Sequence, residues 1–296
     1  MMYINIYKRN IRKKKLRRRR RQKRRKMKTK APIQSFFTID SETYKDKGIV
    51  VFDFDDSRAN EFVERFVVPF RKSYISDDDL DFEVDNNINT KEDAIENKRP
   101  TTALLKAGEF AEILFFMLVC KVICADSTVK PIKWRWKENR DTPCHLTDIM
   151  VMRCESNANP QATDYVFSAE VKSAATPIGD RSTKSRMNEA IEGALKDKNS
   201  RIGKMVAYLT TKYSKERNAE MALRVKRFED GTTVPYERKI SAAVISERDS
   251  LKNHVKNITA ENLGKCQAEQ ITLFAVPIEK LKDIYETIYK LTPTKG

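Results

Sequence analysis

Apolar and polar positions fall into blocks of different period along this chain. Residues 48–54, "GIVVFDF", form a short apolar run that predicts a strand. In "ANEFVERFVVPFRK", residues 59–72, apolar side chains recur every three or four positions. That spacing predicts an amphipathic helix with a proline near its end. From Leu104, "LLKAGEFAEILFFMLVCKVI" is apolar around most of a helical surface, as expected of a central helix. Two strands follow, in "CHLTDIMVMRC" (Cys144 to Cys154) and "YVFSAEVKS" (Tyr165 to Ser173). Ser185 to Ser214 reads as one or two helices, broken near Asn199 and Ser200. "KISAAVISE" (Lys239 to Glu247) and "EQITLFAVPI" (Glu269 to Ile278) read as strands, and "EKLKDIYETIYKL" closes the pattern as a helix. The order from residue 104 is helix, strand, strand, helix, strand, strand, helix, which predicts an α/β core with a mixed sheet. No internal repeat is visible.

Composition changes this picture mainly at the N-terminal end. The chain has 296 residues, 40% hydrophobic and 34% charged, enough apolar content for a core beneath a charged surface. The net charge of +16 is unevenly spread. Residues 1–30 hold 17 Lys or Arg and no acid, a run whose self-repulsion predicts a disordered tail. Residues 31–100 carry a net charge of −8, and 101–296 a net of +7. "SDDDLDFEVDNNINTKEDAIENKRP" (Ser76 to Pro100) reads as an acidic linker or loosely packed excursion. The expected organisation is therefore a basic tail at 1–30, an acidic α+β segment at 31–100 suited to partner docking, and a mildly basic domain at 101–296. No apolar run reaches the roughly 20 residues of a membrane span. The basic N-terminus has no apolar stretch of the secretory kind. Five cysteines without a C-x-x-C pair favour a reducing, cytoplasmic setting over a disulfide framework.

The two central strands carry charges among apolar residues. Glu170 and Lys172 alternate with Val171, so they share one face while Val171 points into a core. Taken alone, E-x-K reads as a surface ion pair. Its flanks, Tyr165, Val166, Phe167 and Ala169, mark a largely buried strand, where a charged pair needs a reason. Asp148 opens the preceding strand. If the strands are neighbours, Asp148 lies close to Glu170 and Lys172. Two carboxylates facing one spot repel unless a cation or proton lies between them. Hard oxygen donors of this kind suit Mg2+ or Mn2+. On the long helix, Glu109 and Glu112 stand at i and i+3 on one face. Glu112, deeper in the apolar run, is the preferred catalytic acid, with Glu109 as the alternative. His145 is a candidate substrate or metal contact from the loop, with a structural role as its alternative. "KWRWK" reads as a strand with Lys133, Arg135 and Lys137 on one face, a candidate DNA-backbone contact, and an ordinary amphipathic edge strand is the other reading. Lys184 and Arg186, just beyond the charged strand, are further phosphate candidates. No P-loop motif is present, so an ATP-driven step would have to come from a partner.

The ordered set of a helix acid, H-x-x-D and E-V-K resembles the metal-dependent PD-(D/E)xK nuclease core. More narrowly, "GEFAEILFFMLVCKV", "PIKWRWKENRDTPCHLTDIMVMR", "FSAEVKS" and "AIEGALKD" resemble the HamA family, nuclease-like subunits of the Hachiman anti-phage defence system. The resemblance spans roughly Thr101 to Tyr213. It implies a restriction-endonuclease-like core, a mixed central sheet flanked by helices, with an N-terminal α+β extension and a disordered basic tail. It also implies a Mg2+- or Mn2+-dependent DNA endonuclease and a superfamily 2 helicase partner of the HamB kind. Carried over, Glu112, Asp148, Glu170 and Lys172 would form the catalytic site, with Asp148, Glu170 and Glu112 as metal ligands. The family's usual small residue before the strand aspartate is Thr147 here. A stand-alone restriction or repair nuclease, and a non-catalytic nucleic-acid-binding adaptor, are the alternative readings.

Overall fold

The computed structural model describes residues 32–144, 146–156, 161–176, 184–229 and 235–291. The chain divides into two units, 1–35 and 36–296, and the second carries the fold. The basic tail expected at 1–30 lies outside the described residues, as does His145.

The second unit opens with β1 (Phe37–Tyr44) and β2 (Ile49–Phe54), followed by α1 (Ala59–Tyr74), α2 (Asp77–Asp85), α3 (Lys91–Glu96) and α4 (Ala103–Leu118). Next come β3 (Ile149–Arg153), β4 (Tyr165–Ala174), α5 (Arg186–Lys196), α6 (Ile202–Lys215) and α7 (Ala219–Lys226). The chain continues with β5 (Glu237–Glu247), α8 (Leu251–Lys256), α9 (Ala260–Glu269), β6 (Thr272–Ile278) and α10 (Leu281–Leu291). Six strands form one mixed sheet in the order β1-β2-β6-β5-β4-β3. The outer pairs β1–β2 and β3–β4 are antiparallel, and the three inner pairings are parallel.

Side chains alternate across this sheet, and each face meets its own helices. Val166, Ile240, Ala242, Val244 and Leu273 share a core with Met187, Ala190, Ile191 and Ala194 of α5. On the other face Phe274 meets Phe115 of α4 at 5.5 Å between ring centroids. Behind it, Phe66 and Phe70 of α1 pack on Phe110 of α4, and Phe70 meets Tyr289 of α10 edge-on at 5.0 Å. The i, i+4 spacing of Phe62, Phe66 and Phe70 produces this seam, because residues four apart stack along one helical face. Among the described residues no helix is long and apolar enough to cross a membrane.

Three expectations change. The strands before residue 100 join the same sheet as the rest, through the β2–β6 pairing, so the sheet does not divide at residue 100. The acidic stretch is helical rather than a linker. Ser76 Oγ accepts the Asp79 N–H at 3.0 Å and Thr90 Oγ1 accepts the Asp93 N–H at 3.1 Å, capping α2 and α3. Asp77, Asp78 and Asp79 fall in the first turn of α2, where acids favour the helix dipole. Finally, Lys133–Trp136 is a 3-10 turn and not a strand, so its basic residues do not line up on one face.

Candidate active site

The register of β3 on β4 decides the geometry. Ile149 pairs with Ala169, so the next position outward sets Asp148 opposite Glu170. Asp148 Oδ2 accepts the Val171 backbone N–H at 2.9 Å, which fixes its carboxylate against β4. Lys172 Nζ donates to Glu170 Oε1 at 2.6 Å. Glu170 is 5% exposed, while Lys172 keeps more contact with solvent. The three strand residues therefore meet, as their alternation implied.

The wall opposite Glu170 comes from α5. A Cβ placed on Gly193 would lie 2.4 Å from the Glu170 carboxyl carbon, so only glycine leaves this side chain its room. Immediately beyond, α5 and α6 are joined by one wide π turn, Asp197–Arg201, in which the Ile202 N–H reaches Asp197 O. This is where the sequence placed a break. Such insertions re-aim side chains and recur at functional sites. Here the turn delivers Asp197, fully buried, and Arg201, whose Nη1 lies 3.1 Å from Glu170 Oε2 and 3.4 Å from Asp197 Oδ1. Asp197 Oδ2 is buried and meets no donor among the described residues. Sequence reasoning missed both residues. A helix with one extra residue in a turn looks like any helix with a weak spot, and the break near Asn199 was the sole trace.

Glu112 joins from α4 through Lys133. Lys133 is buried and donates to Glu112 Oε2, 3.1 Å away, and to the Thr147 carbonyl at 3.2 Å. Trp134 Nε1 donates to the same Glu112 oxygen at 3.3 Å. Glu109, one turn earlier, goes elsewhere. Its carboxylate pairs with Lys137 and accepts from Tyr74 Oη at 2.9 Å. So Glu112 is the helix acid that borders the strand carboxylates. Lys133 and Lys137 are spent on carboxylates inside the protein, and Arg135 Nε donates to the Lys72 carbonyl at 2.8 Å. The shared basic face expected of "KWRWK" does not form. Lys184 and Arg186 are exposed, and Arg186 Nη1 pairs with Glu189 at 2.6 Å.

Electrostatics follow from this crowding. Burial, with added repulsion from Asp148, raises the Glu170 carboxyl against the opposing pull of Lys172 and Arg201. Burial pushes Glu112 up to about 7, opposed by Lys133 and reinforced by Asp148. Burial, then Glu170 and Asp148, push Asp197 up to about 7. For Lys172, burial works downward, but Glu170 and Asp148 outweigh it and hold the ammonium above its ordinary range. Lys172 is thus a cation, fit to stabilise negative charge and not to take a proton. Asp148 is the shared neighbour of Glu112, Glu170 and Asp197, with Lys133 paired to Glu112, Lys172 to Glu170, and Arg201 to both Glu170 and Asp197.

The family model of HamA matches residues 32–291. The chain belongs to the HamA family. HamA is a component of the Hachiman anti-phage defence system. The match extends well beyond the Thr101 to Tyr213 stretch that carried the resemblance, and takes in β1, β2 and the acidic helices. No match among curated proteins is found. In this HamA-family chain, the buried Thr147 carbonyl holds Lys133, so the residue before the strand aspartate helps carry Glu112 to the cluster.

Among the described residues no three His, Cys, Asp or Glu side chains converge tightly enough to form a ready metal cage. The donor set still fits a hard divalent cation. All four acids offer oxygen, and Asp197 Oδ2 stands buried without a donor.

Proposed function

We propose that this chain is a Mg2+- or Mn2+-dependent DNA endonuclease of the PD-(D/E)xK type, the effector of its Hachiman complex. The observation that carries this reading is the crowding of carboxyl groups around Asp148. Glu112, Glu170 and Asp197 all feel its charge, Glu112 and Asp197 are pushed up to about 7, and a solvent-reachable lysine stands at the edge. Acids perturbed by burial and by one another, next to a solvent-reachable cation, are the usual mark of a functional site.

Asp148 and Glu170, with Glu112, would hold the metal. When bound there, such an ion would supply Lewis acidity at a phosphoryl oxygen and a more acidic water. The remaining work belongs to side chains. Lys172 places a fixed positive charge where the phosphate gains negative charge in the transition state. Glu170 holds that ammonium in place. Arg201 steadies Glu170 and Asp197, and Lys133 keeps Glu112 oriented. The substrate is DNA, cut by phosphodiester hydrolysis. A superfamily 2 helicase of the HamB kind is the proposed partner, since the chain has no P-loop of its own.

A thermal-shift titration with MgCl2 tests the ion directly. The full chain should gain stability as Mg2+ rises, by about 1–3 kcal/mol at 10 to 100 times Kd. Glu170→Gln should abolish that gain, and EDTA should abolish DNA cleavage by the wild type. An equal Mg2+ response in wild type and variant would remove the metal from this site.

A further inference from the structure

A cavity of about 500 Å3 opens beside the carboxylate cluster. Its wall includes Trp136, Leu146, Met205 and Tyr208, and Asn139 offers an amide at its polar side. Lys133 lines it as well, and this is the same ammonium that lies 3.1 Å from Glu112. Lys133 therefore links the cavity wall to Glu112 of the proposed site.

Its walls are held in place. Trp136 meets Tyr213 edge-on at 5.7 Å and Tyr208 at 6.4 Å, and Lys212 Nζ lies 5.7 Å from the Trp136 ring. Tyr208 remains 42% exposed, an aromatic face left open to a visitor. Leu146 has φ of +74°, a conformation that is rare for a branched residue and is kept where surroundings impose it. That residue is where the chain turns from the cavity wall toward Asp148, two positions on.

We infer that this cavity receives one unpaired nucleobase of the DNA strand being cut. The inference rests on the nuclease reading and narrows its substrate class. The chemistry is that of a nucleotide divided between two neighbouring sites. A flat π-surface suits the aromatic and apolar walls, and the Asn139 amide, whose Oδ1 accepts the Asp141 N–H at 2.9 Å, keeps its NH2 to donate to a base edge. The attached phosphate falls on the side of Lys133 and the carboxylates. A base stacked within a duplex cannot enter such a pocket, whereas an unpaired or flipped one can. The preferred substrate is therefore single-stranded or locally unpaired DNA.

The test compares binding of two oligomers of equal length to the full chain, in EDTA and at a salt concentration that suppresses backbone attraction. One is oligothymidylate, and the other has the same phosphate backbone with abasic sites throughout. Wild type should prefer the base-bearing strand by about tenfold, in line with stacking of one base. Tyr208→Ala should erase the preference and leave binding of the abasic strand unchanged, while Tyr208→Phe should keep it. Equal affinity for both oligomers in the wild type, or a preference untouched by Tyr208→Ala, would overturn the pocket. Displacement by thymidine monophosphate at equal concentration would reassign it to a free nucleotide and overturn the strand assignment. Because the assay contains no metal and reads no cleavage, failure of the nuclease reading appears separately, as a preference for bases in a chain that does not cut DNA with Mg2+.

Discussion

Glu109 and Glu112 stand one turn apart on α4, both shielded from water, and lead different lives. Glu109 sits in a closed network. Lys137 neutralises it, Tyr74 Oη donates to it, and Tyr74 in turn lies 2.8 Å from Tyr289 Oη, so α1, α4 and α10 are tied together. Burial raises the Glu109 carboxyl, and Lys137 and Tyr74 draw it back. Glu112 sits in an open cluster. Lys133 serves it, but Asp148 faces it as well and also presses on Glu170 and Asp197, so that Glu112 and Asp197 are both raised to about 7. Burial alone does not mark a functional acid. A buried acid whose partners balance it is mortar, and one crowded by further carboxyls and pushed up to about 7 is a candidate for chemistry.

Substitutions sharpen this contrast in order of size. Removing function without stability should be easiest at the open cluster. Glu112→Gln is expected to lower DNA cleavage at least about 10³-fold, near 4 kcal/mol of barrier. Its stability loss by urea unfolding should be smaller than that of Lys137→Met, because the amide oxygen still accepts from buried Lys133 and Asp148 remains beside it. The closed network should behave in the opposite way. Lys137→Met leaves Glu109 buried without its counter-ion and is expected to cost about 3–5 kcal/mol of stability by urea unfolding. If Lys137→Met proved harmless to stability and fatal to cleavage, the two glutamates would have to exchange roles.

Gly193→Ala probes the wall of the cluster. In an ordinary helix this change stabilises, because glycine has more backbone freedom to lose. Here the new methyl collides with Glu170. The expected result is a loss of about 1–3 kcal/mol together with weaker Mg2+ binding, read by unfolding and by metal titration. A gain in stability would show that Glu170 has somewhere else to go.

The last contrast is a slope, small at any one pH. Asp197 has a folded pKa of about 7, well above its ordinary value, so the folded state holds its proton more tightly than the unfolded state. Below about pH 4 both states carry the proton and the group costs nothing. As pH rises from there through 7, the folded state gives up its advantage and stability falls, by at most roughly 1.4 kcal/mol per pH unit. Asp197→Asn should flatten that part of the profile, measured as unfolding free energy between pH 4 and 8 without metal. An identical slope in the variant would place the titration elsewhere.

What the sequence disclosed followed from local pattern. Asp148, Glu170 and Lys172 stood out because charges interrupted apolar strands, and a period of two already put Glu170 and Lys172 on one face. The helix of α4 and the closing helix α10 were legible from their apolar stripes. Three features were not. β1 is an exposed edge strand with Ile39 55% exposed, so its polar composition gave no strand signal. The joining of β2 to β6 spans more than 200 residues of sequence, and such non-local pairing has no compositional trace. "KWRWK" alternates like a strand but follows Pro131 and closes into a 3-10 turn, with Lys133 and Lys137 drawn inward by the two glutamates of α4. The caps Ser76 and Thr90 were readable in principle, but the density of acids around them read as solvated linker.

The most direct measurement is relaxation and linearisation of plasmid DNA by the full chain in Mg2+, with and without the proposed helicase partner, set beside Lys172→Ala at matched circular dichroism. The expected result is cutting by the wild type, stopped by EDTA and lost in Lys172→Ala, whose fold and Mg2+-induced stabilisation persist. Cutting that survives Lys172→Ala, or wild type that leaves the plasmid intact under both conditions, would contradict the assignment of this cluster as a nuclease site.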